Sequence, residues 1–323
     1  MHLGVILPHT KLYGGVKRFL ELGNIFLKMG HQFTVFTPDG KGPDWYDFKG
    51  SMAALGDLSS YTLDALFLTD SNRIDYLVNS NAKRKIFYHV KENEPMKDIL
   101  KHKDIEIFAC SSNIYEYDKK KFHIQPFKAI GGIDTTVYKP KKIDKEPSDV
   151  FTIMMYGRLS VKRKGTMIAI KACESLYKKH KNIRLLLFDS PVDKKSQLMI
   201  EQFSSTVPFD FVLNHPFEKN TELFHRADIF VSAEKRAGWA NTVAEAMACG
   251  IPVVATQSGT KDLIIDKQTG ILVRRNRWAI KKGIKSVLLD IEKQKTLGAN
   301  GRKKIEEFDW NRLAEVIIKH LEN

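Results

Sequence analysis

Short apolar runs alternate with amphipathic stretches along the first half of the chain. Runs rich in β-branched and aromatic residues predict strands at 2–8, 32–38, 64–69, 84–90 and 105–111. Between the first two runs, apolar residues recur at helical spacing over 15–29, and Gly30 follows, as is typical of a helix end. The pattern therefore predicts strand–helix units that form a parallel sheet.

The same alternation returns after a polar interruption. Residues 139–149, "KPKKIDKEPSD", contain two prolines and no apolar periodicity, so we interpret them as a linker. Later strands are predicted at 150–157, 183–189, 209–214, 227–232, 251–256 and 270–273, and helices at 276–296 and 301–322. We expect two Rossmann-like, doubly wound α/β domains facing across a cleft, with ligands at the carboxyl ends of the strands. Their predicted extents are 1–145 and 146–305, followed by a C-terminal helix at 306–323.

The composition fits a globular protein with a sizeable core, at 43% hydrophobic and 28% charged residues among 323. No apolar run approaches the roughly 18–20 residues of a membrane-spanning helix. The first residues, "MHLGVILPHT", resemble a strand more than a secretory signal. Three cysteines without C-x-x-C spacing argue against a disulfide framework or a zinc site. We therefore expect a cytoplasmic protein.

The positive charge is concentrated in the second half. Residues 1–149 hold 22 Lys and Arg against 19 Asp and Glu, whereas residues 150–323 hold 30 against 19. A basic domain suits an anionic ligand, a nucleic acid or an anionic membrane surface. A solubilising lysine-rich surface explains the same excess equally well, so charge alone selects no partner.

The stretch "AGWANTVAEAMACGIPVVAT", residues 237–256, holds a single carboxylate, Glu245. Its turn residues precede a helix predicted to begin near Thr242, and free amides at a helix N-terminus form a ready anion site. The pattern by itself favours another interpretation. "TVAE" is a capping box, with Thr242 as the N-cap and Glu245 three residues later.

Three further motifs admit plain structural interpretations when each is taken alone. "GRLSVKRKG" (157–165) places Arg158 after a strand and Lys164 before a helix, but "KRK" is also typical of a solvated basic turn. Gly14 and Gly15 suit either a tight turn or close backbone approach to a ligand. His89 ends a predicted strand, where a hydrogen-bonded structural histidine is common. No G-x-G-x-x-G follows the first strand, so a dinucleotide site is not indicated.

Four blocks together resemble family-4 (group 1) retaining glycosyltransferases of GT-B fold. They are "YGGVKRFLELGNIFLKMGHQFTVFTP", "GGIDTTVYKP", "GRLSVKRKG" and "AGWANTVAEAMACGIPVVAT", in the family's order and approximate spacing. The resemblance spans most of the chain, and the last block is the most specific. It implies transfer of a sugar from a nucleotide-diphosphate donor with retention at the anomeric carbon. It also implies that no metal is held by an aspartate pair, and the sequence has no D-x-D.

The resemblance also assigns roles to residues. Arg158 and Lys164 would neutralise the diphosphate leaving group, and Glu245 would bind the ribose hydroxyls. His89 would contact the donor sugar near the reaction centre in a front-face mechanism. Further contacts to the donor, or to the acceptor and diphosphate, would come from Gly14, Gly15, Trp239, Ala240, Asn241 and Thr242. The family's last helix usually crosses back to the N-terminal domain, which implies the same for 306–323.

This chain departs from the family pattern at several places. The first glutamate of the E-x7-E pattern, which usually touches the donor sugar, is replaced by Ala237. Glu234 is a candidate substitute, and backbone groups are the alternative. The basic block is one residue longer than its commonest form, so Arg163 is an alternative to Lys164. Gly131 replaces the usual Asn of N-G-I-D, and "LFDSP" lacks the glycines that commonly follow this strand.

We therefore predict a metal-independent retaining glycosyltransferase without a cofactor, acting from a nucleotide sugar on a glycan, lipid or small-molecule acceptor. Peripheral membrane contact stays open, and no nucleic-acid partner is expected. Two alternatives remain. The first is a sugar-nucleotide epimerase or phosphorylase that uses the same cleft. The second, motivated by Ala237 and the basic second half, is a nucleotide-sugar or nucleic-acid binding module without turnover.

Overall fold

A computed structural model describes residues 1–141 and 150–323 of the chain. They form two compact units, which we call the first unit (Met1–Gly132 with Phe308–Asn323) and the second unit (Ile133–Glu307). The predicted boundary between residues 145 and 146, and the predicted linker from residue 142 on, lie outside the described residues. The segment predicted as the last helix belongs, from Phe308 on, to the first unit.

Within the described residues, the first unit contains a sheet of seven parallel strands in the order β3-β2-β1-β4-β5-β6-β7. The strands are β1 (His2–Ile6), β2 (Gln32–Thr37), β3 (Ser51–Ala54), β4 (Ala65–Leu68), β5 (Arg84–His89), β6 (Ile105–Ala109) and β7 (Phe127–Lys128). The chain runs outward from β1 to β3 and then returns to the other side of β1 at β4. This reversal creates a topological switch point between the carboxyl ends of β1 and β4.

The second unit repeats this order. Its described residues form six parallel strands in the order β10-β9-β8-β11-β12-β13. They are β8 (Phe151–Tyr156), β9 (Ile183–Asp189), β10 (Phe209–Leu213), β11 (Ile229–Ser232), β12 (Val253–Thr256) and β13 (Ile271–Val273). The switch point here lies between β8 and β11. The prediction of two parallel, doubly wound α/β domains is confirmed.

Burial on both faces explains why the central strands are continuous apolar runs. All four residues of β4 are buried, and so are all four of β12. Parallel sheets need helices on both faces, so neither face of a central strand meets water. The hydrophobic pattern does not predict β3 and β7, because strands of four and two residues are too short to show a period.

The helices of the described ranges alternate with these strands. They are α1 (Gly14–Lys28), α2 (Ile74–Val78), α3 (Ser112–Phe122), α4 (Thr166–Tyr177), α5 (Lys194–Glu201), α6 (Asn220–Phe224), α7 (Asn241–Ala248), α8 (Arg277–Leu288), α9 (Ile291–Ile305) and α10 (Trp310–Leu321). The predicted helix at 15–29 is confirmed as α1, and Gly30 follows it in the left-handed conformation, with φ of 85°. None of these helices is both long enough and apolar enough to cross a membrane.

The predicted helices at 276–296 and 301–322 are divided differently in the structure. A break near Asp290 separates α8 from α9, and a 3-10 turn over Glu306–Phe308 precedes α10. Each later helix has its own N-cap, because Asp290 accepts from the Lys293 N–H and Asp309 accepts from the Asn311 N–H. The capping carboxylates thus set helix starts that the apolar periodicity does not resolve.

Candidate active site

The most chemically distinctive region lies at the switch point of the second sheet. β8 and β11 are adjacent there, and their carboxyl ends open into the crevice where doubly wound sheets bind ligands. Arg158 lies two positions after the last residue of β8, and Glu234 lies two positions after the last residue of β11. The loop from β8 to α4 contributes Arg163 and Lys164 to the same place.

Glu234 joins the two cations that the sequence left as alternatives. Its Oε1 accepts from Lys164 Nζ at 2.6 Å and from Arg163 Nη1 at 2.9 Å. The side chains of Glu234 and Lys164 are 8% and 24% exposed, whereas that of Arg163 is 55% exposed. The interpretation of Lys164 as part of a solvated basic turn is therefore wrong, because its ammonium lies in an enclosed ion pair.

Arg158 is fixed by a different carboxylate. Its Nε donates to Asp189 Oδ1 at 2.8 Å and its Nη2 donates to the Ser190 carbonyl at 2.9 Å. The guanidinium lies over the Tyr156 ring at 5.3 Å from its centroid, and Lys164 Nζ lies 5.5 Å from the same centroid. The structure thus brings together the two cations that the resemblance paired. Asp189, a carboxylate at a strand end in "LFDSP", was missed by the sequence reasoning.

Burial changes the acid–base properties of this cluster. It lowers the pKa of the Lys164 ammonium, and the Glu234 carboxylate partly opposes that shift. Burial also raises the pKa of the Tyr156 hydroxyl, and the Asp189 carboxylate adds to the rise. Tyr156 is therefore a neutral phenol under the cations.

Gly165 holds the basic loop against the end of β11. Its φ of 72° is left-handed, and a Cβ at this position would overlap the Ala233 carbonyl oxygen. Arg275 strengthens the same junction, because its Nε donates to the Ala233 carbonyl and its Nη2 donates to the Lys162 carbonyl, both at 2.8 Å. Neither Gly165 nor Arg275 was identified from the sequence, since both act through backbone contacts formed only in the fold.

The predicted capping box at the start of α7 is wrong. The helix begins at Asn241, and its N-cap position is Ala240, which makes no side-chain cap. Thr242 is therefore the second helical residue and Glu245 the fifth. A capping box needs the hydroxyl residue at the N-cap position, outside the helix, and here the helix begins two residues too early for that.

The backbone N–H groups in the first turn of α7 differ in whether they donate to a backbone carbonyl. The N–H groups of Val243 and Ala244 both donate to the Ala240 carbonyl at 3.0 Å, and the Asn241 N–H donates to the carbonyl two residues before it. Among the described residues, the Thr242 N–H has no backbone acceptor. Asn241 and Thr242 were both predicted to contact the donor. Of their two backbone amides, that of Thr242 is thus the better placed to bind a ligand.

Glu245 is buried and lies three residues after Thr242, on the same face of α7. Thr242 itself lines a small cavity at the switch point together with Tyr156, Lys164 and Glu234. The structure therefore places the start of α7 beside the cation cluster. Glu245 lies one turn further along the same helix face.

Position 237, where the family pattern has a glutamate, is closed off by the loop after β12. The Ala237 N–H donates to Ser258 Oγ at 2.9 Å, and the Ala240 N–H donates to the Gly259 carbonyl at 3.1 Å. A Cβ at Gly259 would lie 2.9 Å from the Ala237 Cβ. Ala237 is itself buried, so a longer side chain at this position has little room. Trp239, in the same turn, is also buried.

The predicted residues of the first unit have a different setting. Gly14 and Gly15 are the first two residues of α1, which begins one residue earlier than the predicted helix. A Cβ at Gly15 would meet no atom within 4 Å. Space for a ligand or a side chain is therefore open at this turn.

His89 ends β5 as predicted, but its ring is fully buried. Nδ1 lies 2.8 Å from Asp118 Oδ1, and Nε2 lies 2.8 Å from the Lys91 carbonyl oxygen. The plain interpretation of a hydrogen-bonded strand-end histidine describes this geometry. For the His89 ring to contact a nucleotide-sugar donor, its Nε2 would have to leave the Lys91 carbonyl oxygen.

A family model for the glycosyl transferases group 1 matches residues 139–304, slightly more than half of the chain. This chain belongs to the group 1 glycosyl transferases. The match covers the whole cation cluster and α7, so two of the four blocks that carried the predicted resemblance, 157–165 and 237–256, are inside the matched region.

Two individual relatives are each less than 30% identical to this chain over the aligned residues. The capsular polysaccharide biosynthesis glycosyltransferase CapM of Staphylococcus aureus is 26% identical over 259 residues, which cover 76% of this chain and 65% of CapM. A D-inositol 3-phosphate glycosyltransferase of Paenarthrobacter aurescens is 29% identical over 206 residues, covering 58% of this chain and 49% of that protein. The chain thus spans less than two thirds of the length of these curated relatives.

Solved structures share the fold across nearly the whole chain. A glycosyltransferase from Rickettsia africae superposes with a TM-score of 0.80 at 16% identity, covering 99% of this chain and 97% of the other. Anabaena HepE in complex with UDP-glucose superposes with a TM-score of 0.75 at 14% identity, covering 100% and 99%. At such identities the likeness concerns the fold alone, and it confirms the GT-B class.

Proposed function

We propose that this chain is a retaining glycosyltransferase that moves a sugar from a nucleotide-diphosphate donor to an acceptor hydroxyl without a bound metal ion. The observation that carries the proposal is the cation cluster at the switch point of the second sheet, in which Arg158 is buried and Lys164 is largely enclosed. Arg158, Arg163 and Lys164 meet there, next to the first turn of α7. Family membership and a structural neighbour in complex with UDP-glucose support a nucleotide-sugar donor.

The cluster suits the charge that develops during sugar transfer. As the bond between the anomeric carbon and the β-phosphate oxygen breaks, negative charge builds on the departing diphosphate, and fixed cations stabilise it. Lys164 is the best placed, since it is enclosed and held by Glu234 before any ligand arrives. In this proposal Glu234 positions Lys164 and Arg163, and the donor phosphates take over part of their hydrogen bonding.

α7 would hold the rest of the donor. The Thr242 amide and the positive end of the helix dipole would bind a phosphate oxygen. Glu245 would accept two hydrogen bonds from the ribose hydroxyls, which suits a buried carboxylate on that helix face. The backbone of Trp239 and Ala240 would contact the sugar, since Ala237 supplies no carboxylate there.

The first unit would bind the acceptor. Gly14 is exposed and a Cβ at Gly15 would meet no neighbour, which leaves space at the start of α1 where an acceptor or phosphate group could approach the backbone. His89, held by Asp118, would orient the donor sugar once Nε2 leaves the Lys91 carbonyl. The acceptor hydroxyl would bond to the anomeric carbon from the leaving-group face, and its proton would pass to the departing diphosphate.

The acceptor class is proposed from the relatives. CapM is a capsular polysaccharide biosynthesis glycosyltransferase, so a growing or lipid-linked glycan is the first acceptor to test. A cytoplasmic location, with peripheral contact to the inner membrane face, would suit such an acceptor.

A donor screen followed by product analysis tests the function. Unfolding midpoints would be measured with UDP-, GDP- and ADP-sugars, because a specific donor stabilises the protein by mass action. The stabilising donor would then be incubated with glycan acceptors, with and without EDTA, and the anomeric configuration of the product read by NMR. We expect a new glycoside with the donor's configuration, formed equally well with EDTA.

Other products would identify the alternatives. An altered nucleotide sugar without acceptor indicates an epimerase, and a sugar phosphate formed with free phosphate indicates a phosphorylase. Donor stabilisation without turnover under any condition indicates a binding module. An inverted product, or loss of activity in EDTA, would contradict the retaining or the metal-independent part of the proposal.

A further inference from the structure

α8 carries an exposed stripe that neither the core nor the candidate active site uses. One face of α8 holds Trp278, Lys282 and Lys285. Leu289, the C-cap residue directly after the helix, continues the same spacing of four, three and four residues. Trp278 is 75% exposed and Leu289 is 61% exposed, and both lysines are exposed. The stripe therefore has a large aromatic at one end, an aliphatic side chain at the other and cations between them.

Along α8 the charge is positive, and the first carboxylate after it is Asp290, the N-cap of α9. Residues 274–289, "RRNRWAIKKGIKSVLL", contain six Lys and Arg and no Asp or Glu. On α4, which packs beside α8, Lys171 and Lys178 are exposed, with Glu174 partly buried between them. Lys281 crosses to this helix, where its Nζ donates to Ser175 Oγ at 3.1 Å. The surface of α4 and α8 is thus strongly basic.

We propose that the Trp278–Leu289 stripe of α8 docks this protein on an anionic lipid bilayer. Lysines near such a surface each strengthen binding roughly fivefold through attraction to the headgroups. Tryptophan favours the headgroup level, where its ring is buried and its indole N–H stays wet. A helix that lies in the interface presents one face along its length, as this stripe does.

A nucleic acid fits the same stripe less well. Binding to single strands depends on several aromatic rings on which successive bases stack. Here the second apolar side chain of the stripe is Leu289, an aliphatic group with no ring on which a base can stack. The aliphatic end and the helical line of lysines suit an interface of lipid headgroups and chains.

Vesicle sedimentation tests the proposal on the full-length chain. The protein would be mixed with vesicles of phosphatidylcholine alone, or with roughly a third phosphatidylglycerol, at low and high salt. We expect binding only to the anionic vesicles, weakened by salt. Trp278→Ala should lower the partition coefficient about fivefold, and Lys282→Glu with Lys285→Glu should lower it at least about tenfold.

A matched charge change provides the control. Lys119→Glu with Lys120→Glu makes the same change on α3, where both lysines are exposed. This variant should stay within about twofold of the unchanged chain. All substituted side chains are exposed, so unfolding midpoints should match, and an unchanged donor-induced shift would separate this result from the active-site proposal.

Three results would overturn the docking surface. The first is absence of binding to the anionic vesicles. The second is an equal loss in the α3 control, which would mean that general charge and not this stripe drives binding. The third is tight binding of a single-stranded oligonucleotide that Trp278→Ala abolishes while vesicle binding is unchanged.

Discussion

The two units have the same strand order, and they differ in the loop after the first strand of each sheet. After β1 the chain enters α1 through Gly14 and Gly15, where a Cβ at Gly15 would meet no neighbour. After β8 it passes through a basic loop that ends at Gly165, where a Cβ would overlap a backbone oxygen. One turn leaves space beside its glycine, and the other is tightly packed and cationic.

The carboxyl edges of the two sheets differ in the same way. In the first unit, the buried His89 ring is hydrogen-bonded to buried Asp118 through one ring nitrogen and to a backbone carbonyl through the other. In the second unit, Glu234 holds Lys164 and Arg163 at the mouth of the switch point. Shared topology therefore selects the position of a site, and the residues of the loops decide its chemistry.

The largest expected effect is a difference between Lys164 and Arg163, the two basic residues of the loop between β8 and α4 that contact Glu234. Lys164→Ala should lower kcat about a hundredfold while donor affinity falls much less, because an enclosed cation acts mainly on the developing charge. Arg163→Ala should cost less, since its side chain is half exposed. Steady-state kinetics with the identified donor measures both. A larger loss for Arg163→Ala would show that Arg163 and not Lys164 fills the family position.

The two glycine turns give a matched pair for stability. Gly165→Ala should destabilise the fold by about 2 kcal/mol or more, because the new methyl meets a backbone oxygen in a left-handed conformation. Gly15→Ala should change stability by less, or raise it by up to about 1 kcal/mol, since alanine favours the helix. Thermal midpoints check both. Equal losses would mean that the turn before α1 is as constrained as the one before α4.

Substitution of a buried carboxylate should have different effects on donor binding in the two units. Glu245→Ala should weaken donor binding about tenfold, or about 1.4 kcal/mol, while the fold survives, because no capping bond is lost. Asp118→Asn should lower the unfolding midpoint and weaken donor binding less than Glu245→Ala does, because Asp118 acts on the donor only through His89. Calorimetric titration measures the affinities. Unchanged affinity in Glu245→Ala would contradict the ribose role, and a larger loss in Asp118→Asn than in Glu245→Ala would contradict this ranking.

The smallest expected effect is on the pH profile. Burial lowers the pKa of Lys164, so its charge is lost at a lower pH than that of an ordinary lysine. Turnover that needs the ammonium should therefore fall as pH rises through this lowered pKa. Lys164→Arg keeps its charge at high pH and should remove that alkaline limb, at reduced turnover. An alkaline limb that is identical in Lys164→Arg would assign it to another group.

The sequence by itself determined the architecture of each unit and the position of the site in the chain. Apolar runs predicted eleven of the strands within the described residues, because central strands of a parallel sheet are buried on both faces. The family pattern identified Arg158, Lys164 and Glu245 as candidates. Such patterns are local, so they can be read before the fold is known.

Only the tertiary structure decided how those residues are connected. It joined Glu234 to both Arg163 and Lys164, joined Arg158 to Asp189, and enclosed Ala237 against Gly259. It also started α7 at Asn241, two residues earlier than a Thr242 N-cap requires, which removed the capping box. These contacts link residues up to about seventy positions apart. Their geometry depends on how strand ends meet at the switch point, and no local pattern carries that information.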